Sequence, residues 1–169
     1  MYRKIEDFER DWAEESESTL KVLRSLTDAS LGKRVSPEGR SAGRLAWHIA
    51  VAINTMAEQA GLKGIEGPVG SDTVPVPGSA AEIVATYEAS ARSVADAVRS
   101  QWRDEDLPAE IPMYGFMWTK GKTLSFLIRH EVHHRGQLTV LMRQAGLAVP
   151  GCYGPAREEW AAIGMPARE

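Results

Sequence analysis

The chain of 169 residues is poor in several things at once. It has one cysteine, Cys152, so no internal disulfide can form, which fits a reducing cytoplasm. It has no run of basic residues: 20 Lys and Arg stand against 23 Asp and Glu, for a formal net charge of −3. A nucleic-acid backbone or a broadly anionic membrane surface is therefore a poor partner. No uninterrupted apolar run approaches the ~18 residues of a membrane span. The opening MYRKIEDFERDWAEESES is charged and lacks an apolar core, so it is not expected to act as a secretory signal. No repeat, low-complexity segment or convincing strand alternation is found. What remains is ordinary globular composition, 43% hydrophobic and 25% charged, long enough for one domain over residues 1–169.

Four long segments carry helical periodicity. The first is expected from about Arg3 to Leu31, with Ile5, Phe8, Trp12, Leu20, Leu23 and Leu26 at three- and four-residue steps, before Gly32 and Pro37. The second, about Ser41 to Ala60, has Ser41 as N-cap and a stripe of Leu45, Ile49, Ala52, Ile53 and Met56, with His48 on its edge. A loop rich in glycine and proline, GLKGIEGPVGSDTVPVPGS, interrupts the pattern. The third segment opens on Ser79-Ala80-Ala81-Glu82, which fits a capping box, and runs to about Arg103. The aromatic stretch MYGFMW follows, as a short extended segment or a flap. The fourth segment runs from about Thr123 to Ala145, and a short tail helix is expected over Pro155 to Ile163. The fold class is thus all-α: an up-down-type four-helix bundle with a short C-terminal helix.

Histidine is also scarce, and its placement is uneven. Three of four histidines lie in HEVHHRGQ, residues 130–137. On a helix His130 and His134 stack on one face, close enough to share one metal ion, whereas His133 points away. His48, inward on another helix, is the best third ligand. Three nitrogens leave coordination positions open, which marks a catalytic site more than a structural one. Alternatively the pair simply packs, although each buried ring would then need its own polar partner. The run also contains HExxH, with Glu131 as the base of a metallopeptidase. No histidine follows His134, so the third ligand would have to be Glu158 or Glu159 from a folded-back tail.

GRLAWHIAVA around His48, HEVHHRGQ on the fourth helix, the helix order and the long loop after helix two resemble the DinB/YfiT-like superfamily of metal-binding four-helix bundles. The likeness spans most of the chain. It implies metal ligands at His48, His130 and His134, one divalent ion per chain, often zinc or nickel, and a homodimer. It also implies a metal-dependent enzyme that transfers bacillithiol, mycothiol or a related low-molecular-weight thiol to a small electrophile, a thiol S-transferase. A metal-dependent hydrolase and a non-catalytic binder of metal or small ligand are the alternatives.

Other residues have two readings each. Glu131 can orient a ligand, act as a base or pair with Arg135; a supporting or structural role is favoured. Arg135 and Gln137 reach the pocket rim or join helices. Trp47, Tyr114 and Trp118 line a substrate pocket or fill the core. Gly136 is expected to permit close helix approach, and Cys152 to pack as a small hydrophobe.

Overall fold

The computed structural model describes residues 1–70 and 74–167; the part of the expected loop at 71–73 and the last two residues lie outside the described residues. Four helices form the bundle: α1 (Ile5–Arg24), α2 (Ala42–Gln59), α3 (Ala80–Gln101) and α4 (Lys120–Gln144). Helix α1 packs on α3 and α4, and α2 packs on α3 and α4. Going around the bundle, the order is α1, α3, α2, α4, so α1 and α2 face each other across a diagonal. Phe8, Trp12 and Leu23 of α1, Ile49 and Ile53 of α2, Ile83, Tyr87 and Val94 of α3, and Leu124 and Leu138 of α4 close the core.

Local chemistry explains the helix ends, including those that differ from expectation. Helix α1 stops at Arg24, well before Leu31. Thr27 turns extended, and Thr27 and Ser30 cap a 3-10 turn over Asp28–Ser30. The apolar stripe continues through buried Leu26 and Leu31, but local Thr and Ser hydrogen bonding ends the helix. Ser41 caps α2 as expected, accepting from the Arg44 N–H at 3.1 Å. The capping box at Ser79 does not form. Instead Asp28 of the 3-10 turn accepts from the Ala80 N–H at 2.7 Å, a carboxylate at the positive end of α3.

MYGFMW is a hairpin, the one departure from an all-helical chain among the described residues. Strands β1 (Glu110–Met113) and β2 (Phe116–Thr119) pair antiparallel, Met113 opposite Phe116. The two turn residues, Tyr114 and Gly115, have φ of 52° and 80°, the pattern of a type I′ turn. The alternation is too short to read as strand in the sequence, because only Met113 is buried and Phe116 and Met117 face outward. Thr119 then caps α4, which begins at Lys120 rather than Thr123.

The loop after α2 is tied back onto the bundle. The Asn54 side chain donates to Pro68 O and to Ser90, and Ser93 accepts from the Glu66 N–H. A Cβ on Gly67, at φ 111°, would lie 2.6 Å from both Asn54 and Ser90, so this approach requires glycine. The expected tail helix is only the 3-10 turn Trp160–Ile163, ended by Gly164. Trp160 is only half-buried and Ala161 to Ile163 are exposed, so no buried apolar face supports a longer helix. No helix among the described residues is long and apolar enough to cross a membrane.

Candidate metal centre

His48 projects from α2, and His130 and His134 from the facing α4. One ring nitrogen from each lies within 4.8 Å of the others. Ring centroids are 5.3 Å apart for His48 and His130, 4.6 Å for His48 and His134, and 4.4 Å for His130 and His134. The helix repeat explains the pair on α4, and the packing of α2 against α4 supplies the third ring.

The second nitrogen of His134 matters as much as the first. Nδ1 lies 2.8 Å from Gln137 Oε1, an oxygen that can only accept, so Nδ1 carries the proton and donates. Nε2 is then a lone pair, 3.2 Å from His130 Nε2. Gln137 thus fixes the tautomer that a metal ligand needs. Burial comes first among the effects that lower the His130 pKa, to about 4, followed by the neighbouring imidazoles and Arg40. Burial likewise lowers His134, against the hydrogen bond it donates to Gln137. Neutral imidazoles whose lone pairs converge are a donor set suited to a divalent cation.

Glu131 is placed elsewhere. It is buried and accepts from Thr19 of α1 at 2.6 Å and Tyr87 of α3 at 2.7 Å, both at Oε1. Its partners are on the two helices that do not carry the third histidine. Burial pushes its carboxyl up to about 7, against the hydrogen bonds from Thr19 and Tyr87 and the charge of Arg135. Arg135 is also buried. It donates to the Glu15 carboxylate at 2.6 Å, the Glu15 carbonyl at 3.0 Å, Thr19 at 3.1 Å and Tyr153 at 2.8 Å. Glu131 and Arg135 therefore bind α1 and α3 rather than pairing with each other.

Beside the imidazoles lies a cavity of about 480 Å³, lined by His48, Ala52, Thr55, Met56, Gly70, Tyr114, Phe126 and His130. Tyr114 stands in the hairpin turn, half exposed. Trp118 does not line the cavity but packs against Phe126, with centroids 4.8 Å apart and ring planes tilted by 59°. Trp47 is buried with its indole N–H unpaired by any described residue, and it does not reach this cavity. His133 is exposed. Gly136 does not serve close helix approach: it is exposed, and a Cβ there would meet nothing within 4 Å. Cys152 is half-buried against the core edge. The sequence reading missed Phe126, Ala52 and Met56 as cavity wall. Helical phase was the available signal, because Phe126 precedes His130 by four residues and Ala52 follows His48 by four.

The family model described as the DinB family matches residues 1–168. The chain belongs to the DinB family. A relative from Bacillus subtilis strain 168, described as uncharacterized protein YrdA, is 41% identical over 167 residues, covering 99% of this chain and 98% of its own. A crystal structure of a DinB-like protein from Bacillus cereus ATCC 10987 is 44% identical, with a TM-score of 0.86 over 90% of this chain and all of that one. The DinB-like YjoA of Bacillus subtilis, at 18% identity, TM-score 0.65 and 86% and 96% of the two chains, shares the fold. In this DinB chain the three histidines that can hold a metal ion are therefore part of a bundle found in other members.

Proposed function

We propose that this DinB protein holds one divalent ion, zinc or nickel, through His48, His130 and His134, and uses it to join a low-molecular-weight thiol to a small electrophile. The observation that carries the reading is the convergence of three imidazoles, one with its tautomer set by Gln137, beside a cavity large enough for a small molecule. A divalent ion held there lowers the pKa of a bound thiol, so that thiolate forms near neutral pH. The chain's own part is to keep its imidazoles unprotonated, to orient His134 through Gln137, and to seat the electrophile in the cavity. Thiol transfer forms a carbon–sulfur bond and expels the leaving group, or adds a proton where the acceptor is an alkene.

Glu131 favours this reading over a peptidase. A water-activating glutamate has to face the metal ligands, and this one is hydrogen-bonded to α1 and α3. Hydrolysis through another base, or binding without turnover, stays the second reading. A cytoplasmic location fits the single cysteine and a thiol co-substrate, and a homodimer is what the family resemblance implies.

The test begins with elemental analysis of the purified protein. The metal-loaded protein is then offered bacillithiol, mycothiol, glutathione and coenzyme A with monochlorobimane. A thioether adduct that requires the three histidines is expected. Absence of adduct with all four thiols overturns the transferase reading.

A further inference from the structure

The geometry points to a substrate preference built into the cavity: it seats an uncharged, apolar, ring-sized group of the electrophile, with the reactive end toward the histidines. This inference rests on the reading of those histidines as the reacting end. The walls come from four separate parts of the chain: Ala52 and Met56 on α2, Phe126 on α4, Tyr114 in the hairpin turn and Gly70 in the loop after α2. Among the described residues the lining holds no Asp, Glu, Lys or Arg. Of its two hydroxyls, that of Tyr114 stands in the half-exposed hairpin turn, and that of Thr55 is already engaged, since it bonds Val51 O at 2.9 Å and exchanges hydrogen bonds with Gly70. Along the walls away from the histidines, a charged group would lose its water and find no counter-charge.

The aromatic side chains favour a ring. Tyr114, Trp118, Phe126 and His130 form a continuous ladder, with centroids 5.9, 4.8 and 6.0 Å apart at successive steps. Trp118 backs Phe126, so the Phe126 face is held in place beside His130. The ladder runs from the half-exposed Tyr114, at the mouth, to the imidazoles at the inner end. A flat apolar group in the cavity can contact the three of these rings that line it, Tyr114, Phe126 and His130, by offset or edge contacts. The cavity of about 480 Å³ is at the small end of the range for small-molecule sites, which suits one or two fused rings rather than a long polar conjugate.

The experiment uses the full chain, with and without bound zinc, and three probes of one shape: 1-naphthylmethanol, 1-naphthoate and 1-naphthylmethylammonium. Methyl NMR signals of Ala52 and Met56 report the cavity, and elemental analysis reports the metal independently. Saturable shifts at both methyl groups are expected with the neutral probe, and in the zinc-free chain affinity about tenfold or more weaker for each ion. A52L fills the wall and should weaken the neutral probe about tenfold while leaving metal content unchanged. Equal or tighter binding of either ion to the zinc-free chain, or no shift at Ala52 and Met56 in the wild-type protein, overturns the inference whether or not A52L folds. If the wild-type protein binds the neutral probe selectively but holds no divalent ion, the cavity preference stands and the metal reading fails.

Discussion

The two sides of α4 make an instructive contrast. Toward α2 it presents His130 and His134; toward α1 and α3 it presents Glu131 and Arg135. Both pairs have the same four-residue spacing, and both sit within HEVHHR. On the α1 side hydrogen bonds engage Glu131 Oε1, though not its buried Oε2, and both terminal nitrogens of Arg135, closing a chain from buried Tyr87 through Glu131, Thr19 and Arg135 to Glu15 and the exposed Tyr153. On the α2 side nitrogens converge on a cavity and on each other. Polar groups that satisfy one another hold helices together, whereas polar groups left converging on a shared point are available to a ligand.

The largest expected effect tests the α2 side. Ala in place of His48, His130 or His134 should abolish stoichiometric metal binding by elemental analysis, with helix content kept. His133→Ala should bind as the wild type does; equal loss there would refute the assignment. Next comes the α1 side. Arg135→Met strands the Glu15 carboxylate and should lower stability in denaturant by about 3 kcal/mol, while metal binding in the folded protein persists. Metal loss without destabilisation would reverse the roles given to the two sides.

Gln137→Ala sharpens the contrast further. It removes the acceptor that sets the His134 tautomer, so metal affinity should fall about 10- to 100-fold in competition with a chelating dye. Unchanged affinity would show that the hydrogen bond does not tune the ligand. A smaller effect concerns Glu131. Its carboxyl keeps a proton up to about pH 7 when folded but loses it near its ordinary value of 4.5 when unfolded. The folded state then binds more protons across that interval, so this contribution is full below the unfolded value and is lost as pH rises through the folded one. Glu131→Gln keeps the acceptor for Thr19 and Tyr87. Relative to wild type it should gain stability from about pH 5 to about pH 8, with metal content unchanged. A difference between the two proteins that does not vary with pH would sink this account. The smallest effect is expected from chelation. The far-UV circular dichroism signal should barely change, because the core closes around apolar side chains without the ion; collapse of the signal would make the centre structural.

Much of this was legible in the sequence because it repeats along the chain. The stripes on all four helices, the Ser41 cap and the phase that turns His133 outward need only the periodicity of an α-helix. The site was legible at its ligands because histidine is scarce and its spacing unusual. The hairpin was not legible, since four-residue strands with one buried position carry too little pattern. Nor was the replacement of the Ser79 capping box by Asp28, since that bond joins residues 52 apart in sequence.

The sequence by itself determined the helices, their apolar faces and the three histidines able to meet. Only the tertiary structure decided that Glu131 turns from the histidines, that Arg135 bonds Glu15 rather than the pocket, and that Tyr114 and Phe126 wall a cavity. Periodicity sets the direction in which a side chain leaves its own helix. What it meets there depends on which helix is packed on that side, and α4 meets α2 on one side and α1 on the other.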